Sequence, residues 1–298
     1  MATQRMPAAE VDVSPGLARR LLRAQHPALA GLPLSPLANG WDNVLFRLGD
    51  DLVVRLPRRA LAARLLAHEL RWLPGLAPRL PLPVPAPVAA GRPGEGYPWP
   101  WSVAPYLPGD TATDTPPADP AAAASALGGF LAALHTPAPP DAPANPYRGV
   151  PLAARPAAFH DQVAALGDTV DAAAAGRAWA AALAAPAWSG PALWLHGDLH
   201  PGNIVVAGGR VTGVIDFGDV TAGDPATDLA VAWLLLPAAA RPAFAAAYDA
   251  AAAIPADAAT WARARGWALA MGVAVAAHSA DNPRMAAMGR RTLAAVLG

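Results

Sequence analysis

The 298-residue sequence contains no cysteine, which excludes disulfides, thiolate nucleophiles and cysteine-ligated zinc. It contains no lysine either: all 22 basic residues are arginine, from Arg5 to Arg291. Chemistry that usually recruits lysine has only arginine to draw on. An excess of one charge is also missing, because the 22 basic residues meet 22 acidic ones for a formal net charge of +0. The basic surplus that tracks nucleic-acid phosphates or an anionic membrane is therefore absent. The longest apolar runs, Leu229 to Ala240 and Gly266 to Ala277, fall short of the ~20 residues needed to cross a bilayer and read as buried helices. Residues 1–16 lack the apolar core and small-residue cleavage site of a secretory signal. The expectation is a cytoplasmic protein with no membrane, nucleic-acid or protein partner. With 15% charged and 54% hydrophobic residues the chain is not disordered, and its length suits one large domain or two lobes.

Along the chain the texture changes once. Apolar residues alternate through Val44, Phe46 and Leu48 and again through Leu52, Val54 and Leu56, which predicts a hairpin over 41–56 turning at Gly49-Asp50-Asp51. Helix formers dominate from Arg58 to Leu73, and Pro74 is expected to stop that helix. A proline-crowded segment, 74–108, carries two β-like runs, Val84–Ala90 and Trp99–Tyr106, around a turn at Gly91–Gly96. After Asp110 the sequence becomes alanine-rich and helical, at about 119–135, 153–185, 226–253 and 256–296, with a β-like island at 193–216 and a loop at Pro137–Pro146. The fold class implied is α+β, with a small β-rich lobe at 1–106 and a larger helical lobe at 107–298.

The island carries the chemistry. It reads Leu195-His196-Gly197-Asp198-Leu199-His200-Pro201-Gly202-Asn203, then Val214-Ile215-Asp216-Phe217-Gly218-Asp219. Asp198 and Asn203 have the spacing of the kinase catalytic loop, and Asp216-Phe217-Gly218 matches the metal-binding Asp-Phe-Gly. Ile204–Val206 and Val211–Ile215 are short β runs joined by Ala207-Gly208-Gly209-Arg210. Folding them antiparallel sets Asn203 opposite Asp216 at the open end. One amide and one carboxylate oxygen converging there suit Mg²⁺ that keeps waters and binds phosphate oxygens. Each residue alone would be an ordinary turn residue; the three in this order and context are not. His196 and His200 are four apart but lack the intervening glutamate of a helical zinc motif.

These motifs, with Gly223-Asp224-Pro225-Ala226-Thr227-Asp228-Leu229-Ala230, resemble the aminoglycoside and macrolide phosphotransferase family, which has the two-lobed protein-kinase-like fold. The resemblance runs from about residue 30 to the end and is specific over 195–230. It implies transfer of the γ-phosphate of ATP or GTP to a hydroxyl of a small molecule, with Asp198 accepting or orienting the hydroxyl proton and Asn203 and Asp216 holding Mg²⁺. Asp228 is expected to brace the catalytic loop by hydrogen bonds.

Weaker matches lie in the first lobe. Arg55, in Val53-Val54-Arg55-Leu56-Pro57, stands where most of the superfamily has the phosphate-binding lysine, with Glu69 as its partner on the next helix. Sequence leaves an exposed Arg55–Glu69 surface pair open as the alternative. Arg58 and Arg59 are expected to matter little. Gly40 and Asn43 flank the turn where a phosphate-covering loop belongs, although it holds one glycine and not three. Ser102–Tyr106 corresponds to the hinge, with Ala104 and Tyr106 offering backbone groups to the nucleobase.

For the acceptor, residues 229–298 carry Asp249, Asp257 and Asp281 against six arginines, together with Trp233, Trp261 and Trp267. That balance disfavours a polycationic aminoglycoside and favours a bulkier apolar ligand such as a macrolide, with Asp161, Asp168 and Asp171 restoring some acidity. The tryptophans are equally readable as core. Competing readings are a kinase for choline, homoserine or a sugar, and a silent nucleotide-binding protein. A protein kinase is disfavoured because no Ala-Pro-Glu element or activation loop follows Gly218.

Overall fold

The computed structural model describes residues 7–154, 158–279 and 281–298. Helix α1, Pro15–Gln25, starts where Ser14 Oγ accepts the N–H of Leu17, and it buries Leu17, Ala18, Leu21 and Leu22. Strands β1 (Leu34–Asn39), β2 (Asn43–Leu48) and β3 (Leu52–Pro57), helix α2 (Ala60–Leu76), and strands β4 (Ala89–Gly91) and β5 (Trp101–Pro105) follow. The strands form one antiparallel sheet in the order β1-β2-β3-β5-β4.

The expected hairpin is there, with Leu48 opposite Leu52. Helix α1 and strand β1 were not anticipated. Strand β1 escapes a search for alternation because it is an edge strand, exposed beyond Leu34, with a register shift next to Pro36. Helix α2 continues past Pro74 to Leu76. Pro74 removes one backbone donor and crowds the carbonyl four residues back, but burial of Leu73 and Leu76 holds the last turn in place. The first β-like run shortens to Ala89–Gly91, since Pro81, Pro83, Pro85 and Pro87 delete every second donor before it.

The remainder comprises β6 (Asp110–Thr111), α3 (Pro120–Leu134), α4 (Ala158–Leu166), α5 (Ala172–Ala184), β7 (Leu193–Leu195), β8 (Ile204–Ala207), β9 (Arg210–Val214) and β10 (Thr221–Gly223). Five helices complete it: α6 (Ala226–Leu229), α7 (Val231–Leu234), α8 (Arg241–Ala251), α9 (Ala258–His278) and α10 (Pro283–Leu297). The long helices expected from sequence are subdivided. The 153–185 stretch, of which 155–157 lie outside the described residues, breaks between α4 and α5 at Gly167–Asp171. The 226–253 stretch breaks around Pro237. The 256–296 stretch, apart from residue 280, which is not described, breaks where Asn282 caps α10 ahead of Pro283.

Two small sheets, β6-β8-β9 and β7-β10, sit among these helices. Gly208 and Gly209, at φ 56° and 75°, make the two-residue connection that places Ile204 opposite Val214. One apolar cluster, including Leu21, Phe46, Val54 and Trp101, lies with the five-stranded sheet. A larger one, including Phe130, Leu229 and Trp267, fills the helical part and also takes in Leu73, Leu76 and Val84. The end of α2 and the proline segment thus fasten the helical part to the sheet. No helix among the described residues is long and apolar enough to cross a membrane.

Candidate active site

A cleft of about 470 Å³ lies between the five-stranded sheet and the β8–β9 hairpin. Leu37, Leu45, Val53 and Ala104 line it from the sheet, and Val205 and Ile215 from the hairpin. The result is an apolar slot that suits a flat ring. Gly40, Asn43, Arg55, Tyr106 and Asp216 also line the cleft. Glu69, Asp198 and Asn203 lie outside its lining.

Arg55 on β3 donates from Nη1 to Glu69 Oε1 on α2 at 2.5 Å, and its Nη2 stands 3.8 Å from Asp216 Oδ1. With Arg55 11% and Glu69 0% exposed, this is a buried pair and not a surface one. Burial works against the Arg55 charge, but Glu69 and Asp216 outweigh it and hold the guanidinium protonated above its ordinary range. Burial pushes the Glu69 carboxyl up, with Arg55 opposing. One guanidinium therefore ties helix α2 to the Asp216 loop.

The turn between β1 and β2 is held from below. Gly40 N–H donates to Asn43 O at 2.9 Å, so it is not directed into the cleft. Arg58 Nη1 donates to Gly40 O at 3.2 Å, Arg58 N–H donates to Asp42 O at 2.9 Å, and the Arg59 guanidinium pairs with the Asp42 carboxylate. Arg58 and Arg59, expected to be incidental, anchor this turn. Tyr106 N–H donates to Asp51 O at 2.7 Å, and that donor is likewise not offered to a base.

The loop 196–203 and the end of β9 come together as the motif spacing predicts. Ile215 N–H donates to Asn203 O at 2.9 Å, and Asn203 Nδ2 donates to Asp198 O at 2.9 Å. The Asn203 amide oxygen is then the atom left for a cation. Asp216 adopts a left-handed conformation, φ 65°, with its carboxylate 58% exposed. Among the described residues no group of three His, Asp or Glu side chains could hold a metal alone.

Asp198 is bonded on one side and approached on the other. Arg148 Nη2 donates to its Oδ1 at 2.8 Å, and His200 Nε2 faces its Oδ2 at 3.5 Å. His200 Nδ1 accepts from Gly202 N–H at 3.0 Å, which sets the other ring nitrogen toward Asp198. Burial would raise the Asp198 carboxyl, but His200, Arg148 and His196 overcome it and hold it well below the usual carboxylate range.

Beneath this loop is a fully buried brace. Asp228 accepts from His196 N–H at 2.7 Å, from Gly197 N–H at 2.9 Å and from His135 Nε2 at 3.2 Å, and His135 Nδ1 meets the Tyr248 hydroxyl at 2.9 Å. Gly197 is at φ 85°, and a Cβ there would fall 2.3 Å from Asp219 O, so the loop can approach only as glycine. The bracing expected of Asp228 is present in these bonds. His135, Tyr248 and Arg148 were missed: each comes from a segment without a motif, and Arg148, which bonds Asp198 directly, is 50 residues away from it. Trp267 is buried in the large cluster, and Trp233 and Trp261 pack against it.

An antiparallel sheet is thus joined to a helical part, with the cleft opening between the sheet and the β8–β9 hairpin. The family model described as the phosphotransferase enzyme family matches residues 33–267, and the chain belongs to that family. The macrolide 2'-phosphotransferase MphH from Brachybacterium faecium is 25% identical, with 95% of this chain and 97% of that one covered and a TM-score of 0.60. Macrolide 2'-phosphotransferase type I is 21% identical, covering 95% and 97%, TM-score 0.61. The GDP and kanamycin complex of an aminoglycoside 2''-phosphotransferase is 17% identical, covering 93% and 97%, TM-score 0.64. The last two likenesses concern the fold. No curated protein sequence matches significantly.

Proposed function

We propose that this chain transfers the γ-phosphoryl group of ATP or GTP to a hydroxyl of a small molecule, with macrolides as the preferred acceptor class. The observation that carries this reading is the convergence on one cleft of Arg55, paired with Glu69, and Asp216, 3.8 Å from Arg55, next to a loop that presents Asp198. In this reading residues 1–106 hold the nucleotide, its base in the apolar slot and its phosphates against Arg55. Residues 107–298 supply the acceptor site and the reacting groups.

The donor set fits Mg²⁺: one exposed carboxylate, Asp216, and one amide oxygen, Asn203, would hold a hard cation that prefers oxygen ligands. Bound there, the ion would neutralise charge on the β- and γ-phosphates. The acceptor oxygen attacks the γ-phosphorus, the bond from that phosphorus to the β–γ bridging oxygen breaks with its electron pair leaving on the nucleoside diphosphate, and the hydroxyl proton passes to Asp198. A carboxylate held this far down is a weak base, which suits a loose transition state in which the proton moves late.

Support for a macrolide comes from the relative at 25% identity, itself a macrolide 2'-phosphotransferase, and from the acids of the helical part. Asp171, Asp249 and Asp257 each accept a backbone N–H, from Ala174, Ala256 and Thr260, so one oxygen of each is already engaged. The arginine surplus carries less weight than sequence gave it: Arg263 pairs with Asp224 and Arg265 bonds the Val296 carbonyl. Nucleotide consumption by the purified protein with Mg²⁺, across macrolides, aminoglycosides and hydroxylated metabolites, tests the reading. Turnover of a macrolide with little on kanamycin is expected. Turnover of kanamycin and no macrolide would overturn the acceptor class.

A further inference from the structure

The proline-rich segment between α3 and α4 has no regular structure over 136–151, yet it is fastened along its length. Its start pairs with β7, Trp194 N–H donating to Thr136 O and Ala138 N–H to Ala192 O, both at 2.9 Å. Further on, Thr221 Oγ1 donates to Pro143 O at 2.7 Å and Asn145 Nδ2 to Asp219 Oδ1 at 2.7 Å. At its end Gly149 N–H donates to Thr227 Oγ1 at 3.2 Å, and Asp224 N–H donates to Gly149 O at 3.1 Å. The last four bonds all run to residues 219–227, so the strap is tied at its middle and its end to the stretch that follows Asp216. What the strap presents is Arg148, whose Nη2 donates to Asp198 Oδ1 at 2.8 Å.

We propose that Arg148 is a positioning residue for phosphoryl transfer: it grips Asp198 through Oδ1 and leaves Oδ2 turned to the acceptor hydroxyl. This rests on the reading that Asp198 takes the acceptor proton. The terminal torsion of an aspartate is broad, so a carboxylate on a loop needs a partner to fix its plane. A charge-assisted N–H···O⁻ bond supplies one, and here both side chains are largely withdrawn from solvent, at 22% and 26% exposure, which protects the pair from screening. On the other oxygen His200 Nε2 stands back at 3.5 Å, too far for a strong bond, so Oδ2 keeps a lone pair for the incoming proton. His200 and Arg148 flank the carboxylate from different segments, one local to the loop and one delivered by the strap. Only the strap makes the contact at full hydrogen-bond length.

The test needs no knowledge of the acceptor, because water takes its place in slow hydrolysis of ATP or GTP. Hydrolysis with Mg²⁺ and nucleotide Kd are measured for the wild type, Arg148→Ala, Arg148→Lys and Asp198→Asn. Loss of orientation predicts that Arg148→Ala lowers kcat by about tenfold to a hundredfold with nucleotide Kd within a few-fold of wild type. Added guanidinium ion should restore part of the rate to Arg148→Ala, and lysine at 148 should retain part of it. A merely structural strap would move Kd and thermal midpoint together with kcat and would not respond to guanidinium; that result overturns the proposal. So does wild-type or faster hydrolysis by Arg148→Ala while Asp198→Asn is inactive. Undiminished hydrolysis by Asp198→Asn would instead sink the underlying assignment of Asp198.

Discussion

Replacing Asp228 with asparagine should both destabilise the protein and slow its reaction, and the structure gives the size. The two carboxylate oxygens serve three donors, the N–H groups of His196 and Gly197 and His135 Nε2, with no solvent access. Asparagine keeps one oxygen. In its better orientation that oxygen takes the Oδ2 position and satisfies His196 and His135, while its own NH₂ faces the N–H of Gly197. A buried donor left unsatisfied costs about 1–3 kcal/mol, and exchanging charge-assisted for neutral bonds adds about 1 kcal/mol more. The total is about 2–4 kcal/mol, a large share of the roughly 5–15 kcal/mol that holds a typical domain together. At about 2–4 °C per kcal/mol the Tm should fall by roughly 4–16 °C. Urea unfolding and thermal melting read the stability, and hydrogen exchange at the His196 and Gly197 amides reads the site, where protection should drop most. Tyr248→Phe is the milder companion. Because a carboxylate can only accept, His135 donates to Asp228 from Nε2, and its Nδ1 meets the Tyr248 hydroxyl, one bond contributing about 1 kcal/mol. Burial and the nearby Asp228 charge push the Tyr248 phenol up, which keeps it a donor. A Tm for Asp228→Asn within about a degree of wild type, or unchanged exchange at both amides, would refute this account of the brace.

Asp216→Ala should abolish the Mg²⁺ dependence of nucleotide binding, seen by calorimetric titration with and without the ion, while Asn203→Ala should weaken it less and lower kcat as well, because the same amide steadies Asp198 through its backbone carbonyl. Undiminished metal dependence in Asp216→Ala would place the metal elsewhere. Arg55→Ala should raise nucleotide KM by well over tenfold, and Arg55→Lys should recover little of it; equal KM values for Arg55→Lys and wild type would show that only the charge matters. Arg58→Ala, by contrast, should act on stability, lowering Tm through loss of a buried anchor of the Gly40–Asp42 turn, with a smaller change in KM.

What sequence made legible follows from how local each signal is. The β8–β9 hairpin is written into two short β runs and a Gly208-Gly209 turn, and it alone decides that Asn203 meets the strand leading to Asp216. The Arg55–Glu69 pair was legible as a strand cation followed by a helix carboxylate, but its burial was not, because burial depends on the sheet and α2 closing over it. Strand β1 carried no alternation to read, since an edge strand exposed on both faces has no apolar side. Arg148 and His135 could not be found from spacing. They reach the loop through tertiary contacts, 50 residues from Asp198 for the first and 93 from Asp228 for the second, and the segments that deliver them have no motif of their own.

Arginine at position 55, where most of the superfamily resembled has lysine, becomes intelligible in the geometry. A lysine ammonium is a single point charge. The guanidinium of Arg55 is a fork, and its two ends are used differently: Nη1 bonds Glu69 at 2.5 Å, and Nη2 lies 3.8 Å from Asp216. The second distance is too long for a hydrogen bond but short enough for strong attraction in a partly buried site. The fork therefore holds the α2 carboxylate tightly and the Asp216 loop loosely, which leaves Nη2 able to turn to a phosphate oxygen once the charge of Asp216 is directed to a metal. In a chain without any lysine, the cation that reaches both helix and loop, and that the proposed function asks to reach a phosphate, is the residue type with enough donors to do so.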